Sequence, residues 1–473
     1  MKYSIMKRIV VSFFVLIILV SCTPSIPSKT SNEPINKLIE YVKDTTAFSY
    51  EIIETQALEG AVLYHIKMQS GKWLTEKEVD QPYWWHWLDV VVPNEIKTET
   101  ALLFIGGGSQ QDENIMIDSL SVQQALHSKS IIAHLSNIPF QPLRFVQTDT
   151  LERYEDDLIA YGWNQFLSNG ARSEDAQWLA RFPMTRAVVR GMDVIQALSQ
   201  QTPKAVETFF ISGASKRGWT TWTTAAVDSR VIGMAPLVID LLNLLPSFEH
   251  HYRVYGDWSP AVQDYVNFDI MDWMGSKEFD QLMNYVEPFQ YKERFAIPKL
   301  IVNGTIDEFF VPDSWKFYWN DLPGTKYLQY VPNGNHGLAG QYNTPNVFSF
   351  FHRLIYNEPL PNFDWKVDKG LFSLSLPTDV PYRLSLWQIN HPEKRDFRIW
   401  ELGKSWVQTP LEKNSTGNYT LQAPTGSGYT ASLIEVVFYP DSENPITLTT
   451  GTWVSPDRYP FPPYASQNAK GSR

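Results

Sequence analysis

The stretch FFISGASKRG, residues 209–218, decides the fold. Two aromatics and an isoleucine run into Gly213, Ala214, Ser215, Lys216, Arg217 and Gly218, so an apolar strand ends in a small-residue turn with a serine at its apex. In a Gly-x-Ser-x-Gly elbow the serine sits on a tight strand-to-helix turn that throws its hydroxyl clear of the sheet, and the neighbouring side chains must be tiny. Here Arg217 stands at the fourth small position and glycine follows one residue later. Taken alone, the same residues also describe a strand that ends in a glycine turn and caps a helix.

The surrounding sequence narrows the choice. From residue 130 onward, short apolar runs (VETFFIS, VIGMAPLVID, IPKLIVNGT, TKYLQYVPN) alternate with helical segments such as PMTRAVVRGMDVIQALSQ. Uninterrupted apolar strands between amphipathic helices imply a parallel sheet covered on both faces, an α/β fold. In the α/β-hydrolase arrangement the chain order is serine, acid, histidine. Asp307 follows the strand IPKLIVNGT, and His336 lies in NGNHG after the strand YLQYVP. Asp240, at the end of MAPLVID, is a rival acid. Serine does not ionise unaided, so His336 is expected to take its proton while Asp307 fixes the imidazole tautomer. Backbone N–H groups of Gly107, Gly108 and Lys216 are the expected oxyanion donors. IGGG, residues 105–108, resembles the HGGG loop of lipases and esterases, with Ile105 where that motif has histidine. Lys216 and Arg217 either add positive charge beside the oxyanion, bind a substrate carboxylate, or are solvated charges on a first helical turn.

The expected architecture is an α/β-hydrolase sheet (residues 37–358) with a helical cap insertion at about 241–296, followed by a small C-terminal β-sandwich over 361–455 and a disordered tail over 456–473. Residues 48–104 read as strands, and the aromatic insertion is expected over the carboxyl ends of the strands, where open α/β sheets bind ligands. Within it Glu249, His250 and His251 cluster, but adjacent helical histidines point about 100° apart, which favours a structural role over a metal site. Trp84, Trp85, His86 and Trp87 alternate along a strand and read as packing.

The whole chain sets the outer bounds. It has 473 residues, 40 basic and 51 acidic, and a formal net charge of −11. The acidic balance without long charge runs argues against a nucleic-acid binder. Lys2, Lys7 and Arg8 precede an apolar run over residues 9–20, which reads as a secretory signal spanning 1–22 and is short for a membrane span. It ends in LVSC, a lipobox-like sequence, and Cys22 is the only cysteine, so lipidation there and anchoring to the bacterial cell envelope are expected. Thr23 after the cysteine suits outer-membrane sorting if the cell is Gram-negative, and residues 23–36 read as a flexible tether.

GASKRGWTTW with a following DSR, WWHWLDVVVP, YGDWSPAVQDY, NGTIDEFFVPDS and GYTASLIEVVFYP together resemble the PhoPQ-activated pathogenicity-related proteins, a family that includes an amoebal autocrine proliferation repressor. The resemblance implies an exported α/β-hydrolase-like domain with a C-terminal β-domain, a link to envelope stress or virulence, and Ser215, Asp307 and His336 as the site. The Gly-x-Ser-x-x-Gly turn also resembles that of glucuronoyl esterases, where a basic residue follows the nucleophile. Two functions stay open: a serine hydrolase, needing no cofactor, that acts on a small-molecule, peptide or sugar-linked substrate, and a binding or signalling protein that uses a hydrolase scaffold.

Overall fold

In a computed structural model the described residues are 33–112, 117–146, 151–338 and 344–473. The signal segment, Cys22 and most of the tether therefore lie outside them. The end of the tether is a correction. Helix α1 (Glu33–Lys43) begins before residue 36, because Ile35, Leu38 and Val42 recur at helical spacing and bury one face.

The main sheet has nine strands: β1 (Ser49–Leu58), β2 (Ala61–Lys72), β3 (Tyr83–Pro93), β4 (Thr100–Ile105), β5 (Ile132–Leu135), β6 (Thr208–Ala214), β7 (Val231–Leu237), β8 (Lys299–Gly304) and β9 (Lys326–Val331). Their spatial order is β1-β2-β3-β5-β4-β6-β7-β8-β9. The first three pair antiparallel, β3 meets β5 antiparallel, and all pairs from β5 to β9 are parallel.

Period-2 geometry divides the apolar runs between two cores. Leu103, Phe209, Ile211 and Ile301 face a core shared with α4 (Arg181–Ser199) and α5 (Lys216–Val227). Leu102, Phe210, Leu300 and Val302 face the other core, shared with Ala125 of α2 (Ser119–Ser128) and with Phe350 and Phe351 of α9 (Thr344–Ile355). Both faces are thus covered, and every residue of β8 is buried. Helix α3 (Glu155–Ser168) joins the first core.

The insertion between β7 and β8 forms α6 (Leu244–Tyr255), α7 (Gln263–Asn267) and α8 (Lys277–Val286) with short 3-10 turns. It packs sideways, on α1, α3 and α5. Trp163 of α3 meets Tyr265 at 5.1 Å, and the Trp219 indole donates to the Val286 carbonyl.

Beyond residue 361 two antiparallel sheets face each other. One is β10 (Asp364–Asp368), β11 (Leu371–Ser375) and β14 (Asn418–Gln422). The other holds β12 (Tyr382–His391), β13 (Val407–Pro410), β15 (Tyr429–Phe438), β16 (Ile446–Thr449) and β17 (Trp453–Ser455). Phe372, Leu384, Val436 and Leu448 fill the space between them and run without a break into Val347 and Phe348 of α9. Residues 33–473 accordingly form one compact unit, where the change of composition at 361 suggests a separate domain.

The tail is a second correction. Residues expected to be disordered lie against the insertion: Ser472 accepts from the Lys277 N–H, and Tyr464 and Ser466 donate to Asp272. Tyr464 packs between Tyr252 and Trp258, which gives this polar segment the apolar anchor it otherwise lacks.

Candidate active site

Strand β6 and helix α5 meet at Ser215, whose backbone lies at φ 57°, ψ −124°, a conformation that non-glycine residues rarely adopt. The turn is held from both sides: Ser215 N–H donates to the Leu237 carbonyl of β7, and its carbonyl accepts from Trp219 N–H. Both flanking glycines are required. A Cβ on Gly213 would come within 2.7 Å of the Arg217 carbonyl oxygen, and one on Gly218 within 2.9 Å of the Leu237 oxygen. Displacing the second glycine by one position accommodates Arg217, whose side chain leaves the turn and crosses to the loop after β5.

His336 stands on the loop after β9. Its Nδ1 lies 3.0 and 3.1 Å from the two carboxylate oxygens of Asp307, which is buried just beyond β8. The same carboxylate accepts the Phe309 N–H at 2.7 Å, so it is oriented by backbone as well as by the imidazole. Donation from Nδ1 leaves Nε2 as the histidine's proton acceptor. Phe309 lies against the ring, its centroid 4.0 Å away and its plane tilted by 31°. The rival Asp240 is occupied elsewhere: Tyr318 and Tyr330 donate to it, and burial pushes its carboxyl up to about 7.

Gly106, Gly107 and Gly108 follow β4. Their carbonyls accept from Ile138 N–H, Asn137 N–H and the Gln141 side chain respectively, which pins the loop against residues 137–141. Among the described residues the N–H groups of Gly107 and Gly108 have no protein acceptor. The loop passes so close to His134 that a Cβ on Gly106 would lie 2.4 Å from its Nε2. Strand pairing sets Phe104 opposite His134, so a histidine from β5 buttresses a loop in which Ile105 takes the usual histidine position.

Ser215, Lys216, Gly106–108 and His336 all line one cavity of about 530 Å³, whose walls include Phe104, Leu237 and Phe309. The structure thus brings together every residue expected at the site. The expected roof is absent: no described residue of 241–296 lines this cavity.

The charges beside Ser215 are neither free nor solvated. Lys216 Nζ lies 2.8 Å from both Glu155 and Asp156, and Arg217 pairs with Glu155 at 2.5 Å. Burial opposes the charge on Glu155, but Arg217 and Lys216 outweigh it and bring its carboxyl down to about 2. Glu155 itself sits at φ 50° and is held further by Gln141, which donates to its carboxylate and accepts its N–H.

Three supporting residues escape sequence reading. Glu308 accepts the backbone N–H of His336 at 2.7 Å and, through its own carbonyl, the Ser259 hydroxyl of the insertion. Asn333 exchanges two hydrogen bonds with the backbone of Trp406. Ile399 N–H donates to Ile306 O, next to the acid. The loop between β12 and β13 therefore grips both the acid loop and the histidine loop. Glu308, a second acid beside Asp307 in IDEFF, is the only one of these with a sequence signal. His250 bonds Asp313 and Tyr459, and His251 accepts from Ser259 N–H, so both histidines of the insertion have protein partners.

A mixed sheet in which a strained serine follows β6, the parallel neighbour of β4, an acid follows β8 and a histidine follows β9 defines the α/β-hydrolase fold. Comparison with known sequences goes further. The model of the family described as PhoPQ-activated pathogenicity-related protein matches residues 38–398, and the chain belongs to that family. It is 33% identical over 491 residues to autocrine proliferation repressor protein A of Dictyostelium discoideum, covering 97% of each chain. Among solved structures it is similar to acetyl xylan esterase 1 from Thermoanaerobacterium sp. JW/SL YS485, with TM-score 0.48 and 13% identity over 69% of this chain and 93% of that one. A glucuronoyl esterase from Solibacter usitatus gives TM-score 0.39 and 9% identity over 67% and 91% of the two chains.

Proposed function

We propose that the protein is a serine hydrolase that cleaves an ester or peptide carbonyl through an acyl-enzyme. The observation that carries this reading is the strained Ser215, facing the same cavity as a histidine already bonded to a buried carboxylate. Backbone strain of this kind persists only where surrounding structure enforces it.

In the proposed cycle Ser215 Oγ attacks the carbonyl carbon as His336 Nε2 takes the hydroxyl proton. Asp307 holds the imidazole in position and stabilises the imidazolium. The oxyanion is met by the N–H groups of Gly107, Gly108 and Lys216, the last at the positive end of α5. The carbon to leaving-group bond then breaks and His336 returns the proton to the leaving atom. Water repeats the sequence on the acyl-enzyme: His336 takes its proton, the acid is released, and the proton returns to Ser215. Because Lys216 and Arg217 are paired with Glu155 and Asp156, neither is available to bind a substrate carboxylate, and an uncharged acyl group fits the reading better.

Fluorophosphonate labelling of the purified protein tests the proposal. Labelling of the wild type but not of Ser215→Ala, with His336→Ala slowed at least a thousandfold, is expected. A folded wild type that takes up no probe refutes it and leaves a binding protein on a hydrolase scaffold. We also propose that Cys22 carries a lipid anchor in the cell envelope; a Cys22→Ala chain that stays in the membrane fraction would refute that.

A further inference from the structure

Ser215 borders a second, much smaller hollow. It measures about 30 Å³ and is lined by Ser215, Lys216 and Phe309, which also line the large cavity, and by residues of the insertion that the large cavity lacks. Leu244, Phe248 and Val262 of that insertion, each at most 5% exposed, form its wall together with Trp219. Most of its polar groups are paired: Tyr265 donates to Asp156, Asp156 holds Lys216, and Arg181 donates through Nη1 to the Lys216 carbonyl, while the Trp163 indole N–H and Arg181 Nε have no acceptor among the described residues. The hollow beside the serine is walled mainly by apolar side chains and has room for about two water-sized groups.

A tetrahedral intermediate has four substituents on carbon: the serine oxygen, the oxyanion, the acyl chain and the leaving group. The leaving atom must take its proton from His336, and His336 lines the large cavity and not the small hollow. The leaving group therefore occupies the large cavity, and the acyl chain is directed to the other side of Ser215. We propose that the small hollow is the acyl pocket and that the substrate is an ester of a short acyl group, with one or two carbons beyond the carbonyl, on a much larger alcohol. The inference rests on the serine hydrolase reading above. It also gives the insertion a role that its sideways packing otherwise leaves unexplained: it sets acyl length rather than roofing the large cavity.

The test is a series of p-nitrophenyl esters from acetate to octanoate, with the full-length protein. One extra methylene in a closed apolar pocket changes kcat/KM by about 10- to 200-fold. The wild type is expected to favour acetate over hexanoate by at least about 100-fold. Leu244→Ala removes three carbons from the wall, and should narrow that preference to less than about 10-fold. Should Leu244→Ala fail to fold, Val262→Ala removes two carbons and is expected to shift the preference in the same direction. A wild type that hydrolyses hexanoate as well as acetate overturns the inference, as does a folded, probe-labelled variant of either kind with the wild-type preference. These failures leave the serine hydrolase reading intact as long as hydrolysis still depends on Ser215; ester hydrolysis that survives in Ser215→Ala removes both.

Discussion

Replacing Asn333 with alanine tests whether the C-terminal sheets belong to the active site. Asn333 sits in the left-handed region, φ 59°, three residues before His336. Its side-chain oxygen accepts Trp406 N–H at 2.9 Å, and its amide donates to Trp406 O at 3.1 Å. Each neutral bond is worth about 1 kcal/mol net, so their loss costs about 2 kcal/mol. Alanine is strained in the left-handed region by about 1 kcal/mol more, whereas glycine is not. The totals are about 3 kcal/mol for Asn333→Ala and about 2 kcal/mol for Asn333→Gly. If all of this falls on the geometry of the histidine loop, the fluorophosphonate labelling rate drops by up to about 150-fold and about 30-fold respectively. The rate is measured by stopped-time labelling beside a urea unfolding curve for each variant. An Asn333→Ala protein that unfolds at lower urea but labels at the wild-type rate would refute the reasoning, because the clamp would then serve stability alone.

Two other outcomes are expected. Asp307→Asn should lower kcat/KM for a short ester by at least about 1,000-fold, since the wrong histidine tautomer is then held, while Asp240→Asn, which changes only a pair of tyrosine hydrogen bonds, should stay within about tenfold; equal losses would make Asp240 the working acid. The second concerns pH. Burial pushes His86 and His251 down to about 3 and His250 down to about 4, so each stays neutral in the fold and takes up a proton on unfolding below pH 6.5. Burial also raises Asp240 and Glu287 to about 7, so the folded state holds two protons that the unfolded state releases above about pH 4.5. Three gained and two released leave about one net proton taken up on unfolding, and His134 and His352, which burial also pushes down, add to the uptake, so stability should fall by at least about 1.4 kcal/mol per unit as pH drops from 6 to 5. Asp240→Asn removes one opposing group and should steepen that slope by about 1.4 kcal/mol per unit. Urea midpoints measured from pH 7 to 5 decide it, and a flat profile in both proteins would contradict the assignment.

Much of the site is legible in sequence because the fold fixes it through strand ends. The runs before Gly106, Ser215, Asp307 and His336 are apolar and uninterrupted, and a parallel sheet requires its loops at one edge, so chain order alone aligns these residues. What sequence does not carry is pairing between distant segments. Lys216 and Arg217 look like free cations until Glu155, 62 positions before Arg217, is found beside them. His134 buttresses the glycine loop only because β5 lies next to β4 in space. The tail has the composition of a disordered segment, and contacts with the distant insertion order it, Tyr464 against its rings and hydrogen bonds to Asp272, Lys277 and Glu278.

The division at residue 361 shows the same limit and bears on function. Short alternating strands correctly mark a change from parallel to antiparallel sheets, and they suggest a detachable module that could serve for recognition. Its inner face, however, is spent on the core shared with α9, and the loop between its strands β12 and β13 holds both the Ile306 backbone and the Asn333 side chain. On the opposite flank, Ser259 of the insertion binds the Glu308 carbonyl, and Glu308 binds His336. The proposed base and the acid that orients it are thus braced from two segments that lie outside the sheet. A change in either segment would be felt at His336 before it was felt at Ser215, which the sheet and α5 hold on their own. Loss of proton transfer with the serine elbow still intact is therefore the expected first consequence of loosening the C-terminal sheets.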